Sequence, residues 1–118
     1  MAQYSDTKWE QLDELFQALA DPTRRAVIAR LGAGPASVSE LAEPFDMALP
    51  SFLKHIRVLE ASGWIRSQKS GRVRTCAIDE TRFAVLDGWL AGQRAVWEQR
   101  TDRLESFVTT STNRKGRS

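Results

Sequence analysis

The 118-residue sequence predicts a mainly α fold with a small β-hairpin: five helices and a wing, the third and fourth helices forming a helix-turn-helix. Three observations carry this expectation. Apolar residues recur at helical spacing in five stretches, each bounded by Gly, Pro or a capping residue. Residues 64–78 hold two short β-leaning runs around a polar, glycine-bearing tip, the pattern of a hairpin. Charge is also unevenly placed: residues 1–20 carry Asp6, Glu10, Asp13 and Glu14 against Lys8, whereas residues 50–75 carry Lys54, Arg57, Arg66, Lys69, Arg72 and Arg74 against Glu60. On a chain of net charge +2, that concentration marks a localised surface suited to phosphate.

Residues 7–20 place Trp9, Leu12, Leu15, Phe16 and Leu19 on one face of an amphipathic helix. Asp21 and Pro22 suit the N-cap and first position of a second helix, about 22–31, with Val27, Ile28 and Leu31 inward and Gly32, Gly34 and Pro35 beyond its end. Ser37 and Glu40 have the spacing of a capping box, in which each side chain satisfies a backbone N–H at a helix start. Val38, Leu41, Ala42 and Phe45 form the stripe of that third helix, and a turn is expected near Asp46–Leu49. Pro50 opens the fourth, in which Phe52, Ile56 and Leu59 share a face nearly opposite Lys54 and Arg57; Gly63 is placed to cap its end.

The hairpin follows: Trp64, Ile65 and Arg66, a tip over Ser67–Gly71, then Arg72–Ile78. Its charges are nearly all positive. It reads either as a wing reaching a neighbouring groove or backbone, or as a solvated loop; its position after a helix-turn-helix favours DNA. Asp79 caps a last helix from about Glu80 to Val108, with Phe83, Leu90, Trp97 and Leu104 every seven residues, Leu86 and Phe107 adjoining, and Val85, Trp89 and Val96 in a second stripe. That apolar face is broader than one small domain needs, so a twofold-related copy is the expected partner, the alternative being a monomer whose first helix covers it. Trp89, Leu90, Trp97 and Leu104 are the expected dimerisation residues of this helix. Residues 1–108 form the DNA-binding and dimerisation domain in this reading, and residues 109–118, TTSTNRKGRS, a disordered basic tail.

Sequence readout needs side chains that reach base edges from the first turns of the recognition helix. Ser51, Lys54, His55 and Arg57 meet that requirement, with Leu53 beside them either reading a thymine methyl or packing. Arg66, Lys69, Arg72 and Arg74 supply the wing, Arg72 at its tip being suited to a narrow minor groove. Ser37 and Ser39 start the third helix, where backbone N–H groups face a phosphate, although capping alone explains Ser37. Arg24 and Arg25 are open to phosphate contact or to an ion pair within the chain or across a dimer.

Composition excludes other classes. No apolar run approaches the ~20 residues of a membrane span, and the acidic, amphipathic start is unlike a secretory signal. Cys76 is the only cysteine, so a reducing, cytoplasmic setting is expected, with Cys76 a packing residue rather than a thiol switch. One His, one Cys and scattered acids assemble no nucleophile–base pair, no paired catalytic carboxylates and no phosphate loop, so no enzyme and no cofactor is expected. Other readings are a winged-helix module that binds protein, which the basic wing opposes, and a small-molecule sensor whose four tryptophans line a pocket at the dimer interface rather than its core.

Three segments resemble the ArsR/SmtB family of bacterial winged-helix repressors: LADPTRRAVIARL (19–31), VSELAEPFDMALPSFLKHIRVLEASGWI (38–65) and GRVRTCAI (71–78). The resemblance covers roughly residues 9–107, and the stretch WEQRTDRLE resembles a metal-independent branch. It implies a homodimer joined by the first and last helices, which adds Trp9, Leu12 and Phe16 to the expected dimerisation residues, and which binds double-stranded DNA at an imperfect palindromic operator and usually represses. The chain departs from the family's metal sites. Leu41, Ala42 and Glu43 stand where one site has a Cys-x-Cys pair, and the last helix offers Asp87 but Trp89 in place of a ligating histidine, then Arg100 and Arg103. With about four ligands needed for a zinc-type site, no metal is expected, and any effector is unknown.

Overall fold

The structure is a computed structural model that describes the backbone over residues 6–112 and side chains over residues 10–105. The side chain of Trp9 and residues 113–118 of the expected tail lie outside the described residues. The chain divides into two compact units, one up to Ala84 and one from Val85 onward.

In the first unit the elements run α1 (Asp6–Leu19), α2 (Pro22–Leu31), β1 (Ala36–Ser37), α3 (Val38–Ala42), α4 (Leu49–Ser62), β2 (Ile65–Ser70) and β3 (Val73–Ile78), and α5 (Thr81–Thr112) begins at its end. Local chemistry sets most boundaries. Asp21 accepts the Arg24 N–H at 3.0 Å and Pro22 opens α2. The Ser37 N–H donates to Glu40 Oε1 at 2.8 Å while the Glu40 N–H donates to Ser37 Oγ at 3.1 Å, which completes the capping box. At the end of α4, Gly63 takes φ 91°, and the N–H groups of Gly63 and Trp64 donate to Glu60 and Leu59 carbonyls at 3.1 and 3.0 Å, a Schellman closure. Asp79 accepts from the N–H and hydroxyl of Thr81 at 3.1 and 2.6 Å before α5.

Two expected boundaries move. Phe45 is expected on the third helix, but α3 ends at Ala42: Glu43 keeps helical backbone angles, and Pro44, which has no N–H to donate, does not continue the ladder; Phe45 still packs on Phe52, ring centroids 5.5 Å apart. The expected tip at Ser67–Gly71 is mostly strand: pairing continues to Ser70 opposite Val73, and Gly71, at φ 62°, turns the chain with Arg72. A strand can run through polar residues when its outer face meets solvent. The two-residue strand β1 was not anticipated; it pairs antiparallel with β3, Ala36 opposite Cys76, giving the order β1-β3-β2.

Trp64 is the largest fully buried side chain, and Phe52, Leu15, Leu41, Ile56, Leu59, Ile65 and Val27 join it in the core. Its indole Nε1 donates to the Leu15 carbonyl at 3.0 Å, and its ring meets Phe83 edge-on at 5.1 Å. Leu12, expected at the dimer face, is buried within the chain and belongs to its core. In the second unit α5 continues as helix to Thr112, past the expected end at Val108. Along it Trp89 is half-buried, whereas Leu90, Trp97 and Leu104 are 45%, 64% and 63% exposed. No helix is long and apolar enough to cross a membrane among the described residues.

Candidate nucleic-acid interface

The expected recognition helix is α4, and its two faces separate as the periodicity predicts. Phe52, Ile56 and Leu59 are buried, while Ser51, Lys54 and Arg57 are exposed. Leu53 is half-buried beside them, and Leu49, in the first turn, is exposed. Ser39 is exposed on α3, whereas the hydroxyl of Ser37 is engaged by its cap.

On the wing Arg66, Lys69, Arg72 and Arg74 are all exposed, with Arg72 in the turn itself. Lys69 and Arg74 stand directly opposite each other across the strands. Like charges in that register repel, a cost that an anion bound between them would reverse. Arg74 is partly neutralised from within. Its Nη1 donates to Ser67 Oγ at 2.8 Å and lies 3.9 Å from Glu60 Oε2, and the Ser67 hydroxyl in turn donates to the Glu60 carboxylate. Glu60 belongs to α4, so this chain of contacts fastens the wing to the recognition helix. Spacing in the sequence held no sign of it.

His55 has a different occupation from its neighbours on α4. It is half-buried, its Nδ1 accepts from Arg24 Nη1 at 3.2 Å, and Asp21 Oδ2 lies 3.6 Å from the same nitrogen. Arg24 also donates through Nε to the Ala18 carbonyl at 2.8 Å and through Nη2 to the Gln17 carbonyl at 3.1 Å, and Arg25 Nη1 donates to the Leu19 carbonyl at 2.7 Å. The two arginines left open between phosphate and an ion pair are therefore held at the C-terminal end of α1, where free carbonyls and the helix dipole favour cations. Burial raises the Asp21 carboxyl, but the Arg24 N–H, His55 and the Arg24 guanidinium outweigh it and hold the group below the usual carboxylate range.

A helix-turn-helix with an exposed basic second helix and a basic hairpin after it is the arrangement found in DNA-binding winged helices. Comparison with known proteins agrees. A family model described as a helix-turn-helix domain matches residues 19–68. The HTH-type transcriptional regulator Rv2034 of Mycobacterium tuberculosis is 38% identical over 74 residues, 63% of this chain and 69% of that protein. The crystal structure of an ArsR family transcriptional regulator is 65% identical, with a TM-score of 0.75 over 83% of this chain and 97% of that one. The chain belongs to the ArsR family.

A more distant neighbour, Mb0332 of Mycobacterium bovis, described as a homodimeric winged helix-turn-helix DNA-binding domain, shares the fold at 24% identity and a TM-score of 0.61 over 80% of this chain and 94% of that one. The ArsR assignment makes the chain a DNA-binding transcriptional regulator rather than an enzyme. Among the described residues no three His, Cys, Asp or Glu side chains come together as a metal site. Cys76 is fully buried in β3; burial pushes its thiol up, with Glu60 adding to the effect and Arg74 opposing it. A thiol kept protonated in this way is a poor nucleophile and a poor metal ligand.

Proposed function

We propose that the chain acts as a homodimeric repressor that binds a palindromic operator. Each α4 enters a major groove, with Ser51, Lys54 and Arg57 toward the bases and flanking phosphates. Each wing lays Arg66, Lys69 and Arg72 on the adjoining backbone, with Arg72 in the minor groove; Arg74 acts chiefly as a brace, and Ser39 lies near a phosphate at the start of α3. The observation that carries this reading is the fastening of the basic wing to the basic recognition helix through Glu60, Ser67 and Arg74, which makes them a single surface.

Phe16, Trp89, Leu90, Trp97 and Leu104, with Trp9, supply the dimer contacts in this reading. The exposed Leu90, Trp97 and Leu104 support it, since large apolar side chains seven residues apart fall on nearly the same side of a helix. The homodimeric state of the M. bovis neighbour accords with it. A dimer bound at a promoter represses by excluding polymerase. Control by metal is not part of the proposal: the one histidine is engaged by Arg24 and the one cysteine is a buried thiol.

The test is to incubate the protein with fragmented genomic DNA from its source, recover what binds and footprint the enriched site. Two related half-sites about one helical turn apart, ~34 Å, are expected for a symmetric dimer. No enrichment of any fragment, or protection of one unrepeated half-site, would refute the proposal.

A further inference from the structure

The recognition helix is also gripped from behind, by a residue that touches no DNA in the reading above. Its start has no side-chain cap, Ala48 being the N-cap. What holds its second turn is Arg24, whose guanidinium serves acceptors on two helices: the Ala18 and Gln17 carbonyls at the end of α1, and Nδ1 of His55 in α4. Arginine carries donors only and keeps its proton at every accessible pH. The bond at 3.2 Å therefore requires Nδ1 to present a lone pair, which puts the ring proton on Nε2. Asp21 does not compete, because 3.6 Å is too long for a hydrogen bond and its Oδ2 already accepts the Arg24 N–H. Nε2, the ring nitrogen farther from the backbone, has no partner among the described residues, and the His55 side chain is 22% exposed.

We propose that Arg24 is the positioning residue of the recognition helix, and that through it His55 is held in one tautomer as an Nε2–H donor to an oxygen or nitrogen acceptor of the DNA. The inference rests on the DNA-binding reading, but its first half concerns the protein alone and can be tested apart. With a single histidine in the chain, long-range proton–nitrogen NMR of the full protein at neutral pH reports His55 without ambiguity. The wild type is expected to show the neutral Nε2–H form, and Arg24→Ala a mixture of tautomers. A wild-type ring protonated on Nδ1 overturns the proposal without the need for any variant.

The second half is read with two substitutions measured on the recovered operator. His55→Asn keeps an acceptor near the position of Nδ1 and loses the distal donor; His55→Gln keeps a donor near Nε2. Loss of one hydrogen bond predicts roughly two- to tenfold weaker binding for His55→Asn, with His55→Gln close to wild type. A uniform loss across operator variants identifies a phosphate acceptor, and relaxed preference at one base pair identifies a base edge. Wild-type affinity in His55→Asn overturns the donor role. Failure of the wild type to bind any DNA is a separate result, which removes the DNA-binding reading and the donor role with it and leaves the tautomer measurement to decide the role of Arg24.

Discussion

Arg72 and Arg74 are two exposed wing arginines, two positions apart, both expected from the sequence to contact DNA, Arg72 at the tip in a minor groove, and the structure separates them by partner. Arg74 Nη1 lies 3.9 Å from the Glu60 carboxylate and is bonded to Ser67, whereas Arg72 stands in the turn with no acidic partner among the described residues. Each phosphate neutralised by a free cation adds about 0.9 to the slope of log affinity against log salt. Arg72→Ala removes one such cation from each protomer of the dimer and should therefore flatten that slope by about 1.8, which amounts to a loss of roughly 12-fold in salt sensitivity between about 50 and 200 mM. Arg74→Ala should flatten it by less than half as much, because its charge is already offset by Glu60. Fluorescence anisotropy with labelled operator over a KCl series measures both slopes. Equal flattening by the two substitutions would refute the idea that Arg74 is a brace rather than a phosphate contact.

Three further outcomes follow from the fold. Trp64→Ala should cost about 3–5 kcal/mol in urea unfolding, the range for losing a large buried aromatic, because it empties the centre of the core and removes the indole bond to the Leu15 carbonyl. Asp21→Ala should cost about 1 kcal/mol as a lost N-cap; since folding lowers the Asp21 pKa, this contribution is present above its unfolded value of about 3.9 and disappears as pH falls through the lower folded value. The difference between wild type and variant should accordingly shrink below about pH 4 in acid denaturation curves. Trp97→Glu combined with Leu104→Glu should halve the sedimenting mass and weaken operator binding by about a hundredfold or more, as the two half-sites lose their linkage; an intact dimer in that variant would remove α5 from the interface.

Much of the fold was legible because its boundaries are chemical. Asp21 with Pro22, Ser37 with Glu40, Gly63 and Asp79 each act on neighbours a few residues away, and each has the role its type and spacing predict. The stripe of Phe52, Ile56 and Leu59 likewise fixes which face of α4 is left for Lys54 and Arg57. What was not legible is long-range and polar. No periodicity connects Arg24 with His55, or Glu60 with Ser67 and Arg74, and the pairing of Ala36 with Cys76 depends on a sheet that exists only once β3 is in place. The same limit hid the role of the adjacent arginines 24 and 25, which a linear reading leaves open between phosphate and an ion pair and which serve α1 carbonyls in the fold.

The central claim is that DNA is read by the exposed face of α4, and gel-shift titration of Lys54→Ala and Arg57→Ala on the recovered operator tests it most directly. A charged side chain at a base or phosphate contributes about 1–3 kcal/mol of recognition, so each variant should bind at least several-fold more weakly and the double variant not measurably, with sedimentation showing the wild-type assembly throughout. Undiminished binding by both single variants would contradict the assignment of α4 as the reading helix.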